Sequence, residues 1–238
     1  MNNLDRYKML VDGVPKDITS VPSEFVLHKN GTLSVVWAPV DYINKGARIA
    51  IVGITPGWQQ AQVAYKVAQQ ALKGGLSYID ACACAKGQAA FAGAMRKNLV
   101  AMLDEIGVAS VLGIASTVDL FSGLHPDLHT TSALRYPVFH NNKNYTGHTP
   151  NLLKNDYLRS MVESLLLEEL MAVSPVLVVP LGKAANECVR HALTICQANV
   201  SLLNKFPHPS GANAHRVRQF NEQKKALANT VDTWGRSA

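Results

Sequence analysis

Two short apolar runs constrain the fold of this 238-residue chain more than any other feature. Arg48-Ile49-Ala50-Ile51-Val52-Gly53 and Pro175-Val176-Leu177-Val178-Val179-Pro180-Leu181 carry no polar alternation. A strand with one wet face alternates, whereas a strand buried on both faces reads as continuous apolar sequence. Each run closes on glycine, at Gly53 or Gly182, and helical periodicity follows. After the first, Ala64, Val67, Ala68, Ala71 and Leu72 keep the 3/4 spacing until Gly74-Gly75 stops the helix. After the second comes a helix carrying Val189, Leu193 and Cys196. A further apolar run, Val200 to Leu203, leads through a loop to a helix bearing Val217, Phe220, Leu227, Val231 and Trp234. Strands alternating with helices predict a parallel sheet covered on both faces.

The remaining segments fit around that frame. Phe25–His28 and Leu33–Trp37 flank Asn30-Gly31, a hairpin signal in which both turn residues would take positive φ. A second helix places Phe91, Met95, Leu99, Met102, Leu103 and Ile106 on one stripe, with Gly107 as its cap. Val108 to Ile114 reads as either a strand or a loop. His129 to Phe139 reads as one extended segment closed by Pro137, and a long helix runs from about Asn155 to Ala172.

Apolar residues make up 47% of the chain and charged residues 17%, which excludes a disordered chain. No run approaches the length of a membrane span, and Met1–Arg6 lacks the apolar core of a signal peptide. The expectation is a cytoplasmic protein with no membrane partner. The net charge of +6 is compatible with a polyanionic partner. Lys205, Arg216, Arg218, Lys224 and Lys225 gather against Glu222 alone, either as a solvated helix face or as part of such a contact. Cys82, Cys84, Cys188 and Cys196 fit no common zinc spacing and read as reduced thiols, so neither metal nor cofactor is expected.

In parallel sheets ligands bind at the carboxyl ends of the strands, and two loops there are chemically unusual. Gly53-Ile54-Thr55-Pro56-Gly57 sets two glycines and a proline around one hydroxyl, and matches neither a P-loop nor a dinucleotide fingerprint. Phe206-Pro207-His208-Pro209-Ser210-Gly211-Ala212-Asn213 holds His208 between prolines, where it is either structural or catalytic. Ser210 can cap the following helix or bond a phosphate. No G-x-S-x-G elbow supports a hydrolase triad.

Together and in this order, these loops resemble those of the uracil-DNA glycosylase superfamily. Its members place a G-x-x-P-G-type loop after the first core strand and an H-P-S loop after the last. Ala90-Phe91-Ala92-Gly93 is similar to the family's F-x-G segment. Thr130–Arg135 is similar to its second strand, and Pro175–Lys183 to its third. The resemblance implies one domain over residues 1–238, with 1–46 as an N-terminal extension carrying the hairpin. It implies a three-layer α/β/α fold around a mostly parallel four-stranded sheet, acting as a monomer.

The function implied is hydrolysis of the N-glycosidic bond of uracil or a related damaged base in DNA. The base leaves the stack and enters a tight pocket. His208 would donate to the oxyanion developing on the departing base, and Phe91 would stack against it. Gly53, Ile54, Pro56, Gly57, Trp58 and Ser132 would complete the base pocket. Ser210, Gly211, Ala212, Asn213, Arg216 and Arg218 would hold DNA. Two positions depart from the family pattern. Thr55 stands where many members carry Asp, Glu or Asn, so it could place a water but not deprotonate it. Ser132 stands where an Asn often reads the base, so either the base range broadens or Asn141, Asn142 or Asn144 takes over. Two other readings compete. One is a catalytically weak DNA- or damage-binding protein on the same fold; the other is a small-molecule hydrolase or transferase using His208 and Thr55.

Overall fold

A computed structural model of the chain describes residues 11, 13, 14, 18, 20–91, 93–173 and 176–237. Met1–Arg6, Ala92 and Pro175, each part of a reading above, lie outside the described residues. The chain runs β1 (Val26–Asn30), β2 (Leu33–Val36), β3 (Ile49–Gly53), α1 (Trp58–Lys73), α2 (Tyr78–Ala89), α3 (Gly93–Glu105) and α4 (Val108–Leu112). It continues with β4 (Leu128–Ser132), β5 (Val138–His140), β6 (Lys143–Asn144), α5 (Asp156–Met161) and α6 (Leu167–Ala172). A π turn, Val162–Leu166, joins those two helices. The last elements are β7 (Val176–Pro180), α7 (Lys183–Ile195), β8 (Val200–Leu202) and α8 (Arg216–Ser237).

Four parallel strands form the central sheet in the order β4-β3-β7-β8. Every residue of β3 and β7 is buried, as their unbroken apolar sequence requires. Ala50, Val52, Val176 and Val178 face α5, α6 and α7 through Leu158, Leu170 and Val189. Ile49, Ile51, Leu177 and Val179 face α3 and α8 through Leu99, Leu103, Phe220 and Trp234. The three-layer α/β/α architecture expected from the sequence is therefore present. From β3 the chain moves outward to β4, then crosses back to β7 and on to β8. The switch lies between β3 and β7, where such sheets open a crevice at their carboxyl ends.

The structure also corrects the sequence reading. The hairpin is part of a four-stranded antiparallel sheet, β1-β2-β5-β6. Asn30 pairs with Leu33, so the turn is Gly31-Thr32, with only Gly31 at positive φ (56°). His129–Phe139 is not one segment: β4 joins the parallel sheet, and β5 joins the antiparallel one. Val108 to Ile114 is neither strand nor loop but mostly the short helix α4, flanked by left-handed Gly107 and Gly113. Helix α2 had no counterpart in the reading. It packs Ala81 and Ala85 with Ala61, Ala64 and Tyr65 of α1 in a third core beneath the antiparallel sheet. Phe91 precedes α3 instead of lying on its stripe, with φ at 37°. Val217 is 63% exposed on α8 and takes no part in the core. Among the described residues, no helix is long and apolar enough to cross a membrane.

Candidate active site

A cavity of about 720 Å³ opens at the carboxyl ends of the parallel strands. That size suits a small organic ligand. Gly53, Ser132, Leu181 and His208, from the ends of all four strands or the loops after them, line it.

The first loop is tied down by its own backbone and one hydroxyl. Ala133 N–H donates to Gly53 O, and Leu134 N–H to Ile54 O, both at 2.9 Å. Thr55 Oγ1 donates to Tyr136 O at 2.9 Å and accepts from Val138 N–H at 3.0 Å. Its hydrogen is spent, leaving one lone pair for any water. The sequence reading of Thr55 as a placer of water is thus narrowed: this hydroxyl clasps the loop to the β4–β5 connection. Gly53, Phe91 and Ser132 converge, since a Cβ at residue 53 would lie 3.3 Å from Ser132 Oγ and 3.7 Å from Phe91 Cε1. Phe91 is held in its left-handed turn by Arg96, whose Nε donates to Phe91 O at 2.5 Å and Nη2 to Ala90 O at 2.8 Å. That conformation is costly for a residue with a side chain, so the clamp matters.

The second loop fixes the orientation and tautomer of His208. Ser210 N–H donates to His208 Nδ1 at 3.2 Å. The lone pair therefore sits on Nδ1, and neutral His208 carries its proton on Nε2 as a donor. Burial lowers the His208 pKa below its ordinary value, which favours the neutral ring at pH 7. Gly182, at φ 85°, admits the ring: a Cβ there would lie 2.9 Å from His208 Cβ. Asn98 Nδ2 donates to Pro209 O, and Asn213 Nδ2 to His208 O.

Several expected site residues lie elsewhere. Trp58 does not line the cavity; its ring packs against Tyr65 and Phe139. Ser210 does not cap α8, which starts at Arg216; its hydroxyl accepts from Ala212 N–H inside the loop. Arg216 Nη1 donates to Ser210 O at 2.9 Å, and Arg218 pairs with Glu222 at 3.8 Å, so both cations have protein partners. Ser210, Ala212 and Asn213 line the cavity; Gly211 does not. Asn141 and Asn142 form the left-handed turn between β5 and β6, whereas Asn144 reaches the cavity. Its Oδ1 accepts from Trp58 N–H at 3.0 Å, leaving its amide hydrogens for a ligand or solvent.

The sequence reading missed a buried ionic cluster behind the β4 end of the cavity. Glu169, 1% exposed, accepts from Arg135 Nε at 2.5 Å and pairs with Lys86 Nζ at 3.3 Å. Its Oε2 also lies 2.6 Å from His129 Nε2. Burial alone would raise the Glu169 pKa, but Lys86, His129 and Arg135 hold it well below the usual carboxylate range. Burial and the Lys86 charge lower the His129 pKa, keeping that ring neutral. Burial likewise lowers Lys86, against the pull of Glu169. Lys86 and Arg135 line the cavity, and Glu169 does not. Among the described residues lining it, none is an Asp or Glu. Cys82 and Cys188 are buried, and burial pushes both thiols up to about 12.

The family profile described as "Uracil DNA glycosylase superfamily" matches residues 40–231. The chain is 36% identical over 241 residues to the uncharacterized protein YoxB of Bacillus subtilis (strain 168), covering 96% of this chain and 91% of that one. No solved structure matches.

Proposed function

The chain belongs to the uracil DNA glycosylase superfamily, and from that membership we propose that it hydrolyses the N-glycosidic bond of uracil or a related damaged base in DNA. The observation that carries this reading is His208, which lines the strand-end cavity with its Nδ1 occupied, so that its neutral ring offers Nε2–H as the donor. Bond cleavage leaves negative charge on the departing base. A neutral donor placed against that charge stabilises it without a proton having to move. In other enzymes one such donor is worth ~3 kcal/mol.

The extruded base stacks on Phe91, whose position Arg96 maintains. With no carboxylate among the described residues that line the cavity, departure of the base runs ahead of water attack, and the water needs placement more than deprotonation. The lone pair left on Thr55 and the amide of Asn144 are available to place it. Ser210, Gly211, Ala212 and Asn213 contact the DNA backbone beside the cavity. Arg216 acts mainly by holding that loop, and Arg218 adds exposed positive charge. The product is an abasic site, and the protein is monofunctional.

A catalytically weak damage-binding protein is the second reading, favoured by the engaged Thr55 hydroxyl and by the lack of an Asp or Glu among the described residues lining the cavity. One experiment separates the two. Uracil-containing oligonucleotides are incubated with the protein, then treated with alkali to cut abasic sites. Cleavage at uracil and not at thymine supports the glycosylase. Salt-sensitive binding without cleavage supports the second reading, and neither result removes both.

A further inference from the structure

Hydrolysis leaves one proton in need of an acceptor. A water that adds to the sugar after the base departs must lose a proton. Until it does, the sugar cation can recombine with the base still held beside it. The Thr55 hydroxyl is a weak base, and no Asp or Glu stands among the described residues lining the cavity.

The titratable groups of that lining are Lys86, Arg135, Tyr145, His148, Lys183 and His208. Five of them are engaged. Lys86 donates to Tyr42 O and pairs with Glu169, Arg135 pairs with Glu168 and Glu169, and Lys183 lies 3.8 Å from Glu187. An ammonium or a guanidinium has no lone pair with which to accept. Tyr145 donates its hydroxyl to Pro150 O, and the accepting nitrogen of His208 is filled by Ser210 N–H. The His148 ring makes no hydrogen bond or ion pair with a described residue.

The backbone around His148 sets its place. Tyr145 N–H donates to Val138 O at 2.9 Å, and the Tyr145 hydroxyl reaches across to Pro150 O, closing the loop 145–150 on itself. Gly147 stands at φ 88°, and a Cβ there would lie 2.9 Å from Ala184 Cβ and 3.2 Å from Ile54 Cγ2. The loop is thus wedged between the Gly53–Gly57 loop and the start of α7. His148, the next residue, is exposed at the rim of the cavity. Thr55 adjoins Ile54 and Asn144 adjoins Tyr145, so the two groups available to place the water sit on the segments that meet here.

We infer that His148 is the proton acceptor for the attacking water, and thus a second catalytic histidine supplied by a loop outside both strand-end motifs. The inference rests on the base-excision reading. The C1′–N bond breaks with its electron pair staying on the base, which His208 holds as the anion. The water oxygen then bonds C1′, and one water proton passes to the unoccupied ring nitrogen of His148. The imidazolium returns that proton to solvent, and the departed base takes one up. Imidazole is the side chain most often used for such transfers.

Single-turnover excision of uracil from a duplex, followed from pH 5 to pH 9 for wild type and His148→Gln, tests this. DNA affinity is read in parallel by fluorescence anisotropy. Glutamine keeps a polar side chain of similar reach but takes up no proton. At neutral pH the variant's rate is expected to fall ~100-fold, the low end of what a positioned base contributes, with affinity and melting temperature held. The wild-type rate should fall toward acid pH as His148 is protonated, and that part of the fall should vanish in the variant. Any part owed to His208 remains in both proteins. A variant rate within ~3-fold of wild type overturns the assignment, as does a slower variant that keeps the whole acid limb. Weaker DNA binding with an unchanged rate makes His148 a phosphate contact and overturns it too. A wild-type protein that excises no uracil overturns the glycosylase reading and His148 with it, whereas equal excision by both proteins counts against His148 alone.

Discussion

Glu169→Gln removes the one charge that holds the buried cluster together. The carboxylate bonds three groups at once, Arg135 Nε at 2.5 Å, His129 Nε2 at 2.6 Å and Lys86 Nζ at 3.3 Å. The amide keeps the shape but leaves two cations facing each other in a site that is 1% exposed. Removing one partner from a buried ion pair costs ~3–5 kcal/mol. Arg135 keeps Glu168 at 3.0 Å, and Lys86 can shed its proton, so the lower half of that range is expected. For a chain of this size each kcal/mol moves the melting temperature by ~2–4 °C, giving a fall of roughly 6–16 °C. Urea unfolding at pH 7 measures the loss, and scanning calorimetry the temperature. The same substitution in a Lys86→Met background is expected to cost less, because one stranded charge is gone. A loss under ~1 kcal/mol, the scale of a surface pair, would refute the reasoning.

His129 adds a pH dependence. Its folded pKa is lowered from the ordinary 6.5, so its contribution is full above that value and is lost as pH falls below it, while the unfolded chain alone takes up the proton. Urea midpoints should decline below pH 6.5 by up to ~1.4 kcal/mol per pH unit, and a flat profile to pH 5 contradicts this. Glu169, whose folded pKa is depressed, adds a further loss only below the ordinary carboxylate value. Thr55→Val strands the Tyr136 carbonyl and the Val138 N–H, so ~1–3 kcal/mol of stability should go, with excision falling only ~10-fold. Thr55→Ser should restore both; complete loss of excision in a stable Thr55→Val would instead make the hydroxyl essential to the chemistry. Arg96→Met frees the Phe91 turn, and single-turnover excision should fall ~10-fold while DNA affinity, read by fluorescence anisotropy, holds.

The central strands were legible because burial on both faces leaves β3 and β7 nothing but apolar residues. The helix α2 was not, since Ala81, Ala83, Ala85 and Ala89 bury a face without making a stripe of large side chains. The strands β5 and β6, of three and two residues, are too short to show a period. His208 stood out because two prolines frame it, but its tautomer depends on a backbone N–H that only the fold supplies. Phe91 leaves its helix because Arg96 bonds its carbonyl, a side-chain contact that no periodicity reveals. Glu169 is separated from Arg135 by 34 residues, His129 by 40 and Lys86 by 83, so no motif joins them. One signal was present. Glu169 sits beside Leu166 and Leu170 on the buried stripe of its helix, and a carboxylate there requires partners.

Single-turnover excision of uracil from a DNA duplex, wild type against His208→Ala, tests the central claim most directly. The variant should keep the wild-type melting temperature within a few degrees and lose at least ~100-fold in rate, since the neutral Nε2–H donor is gone. A correctly folded His208→Ala protein that excises uracil within a few-fold of wild type would contradict the assignment of His208 as that donor.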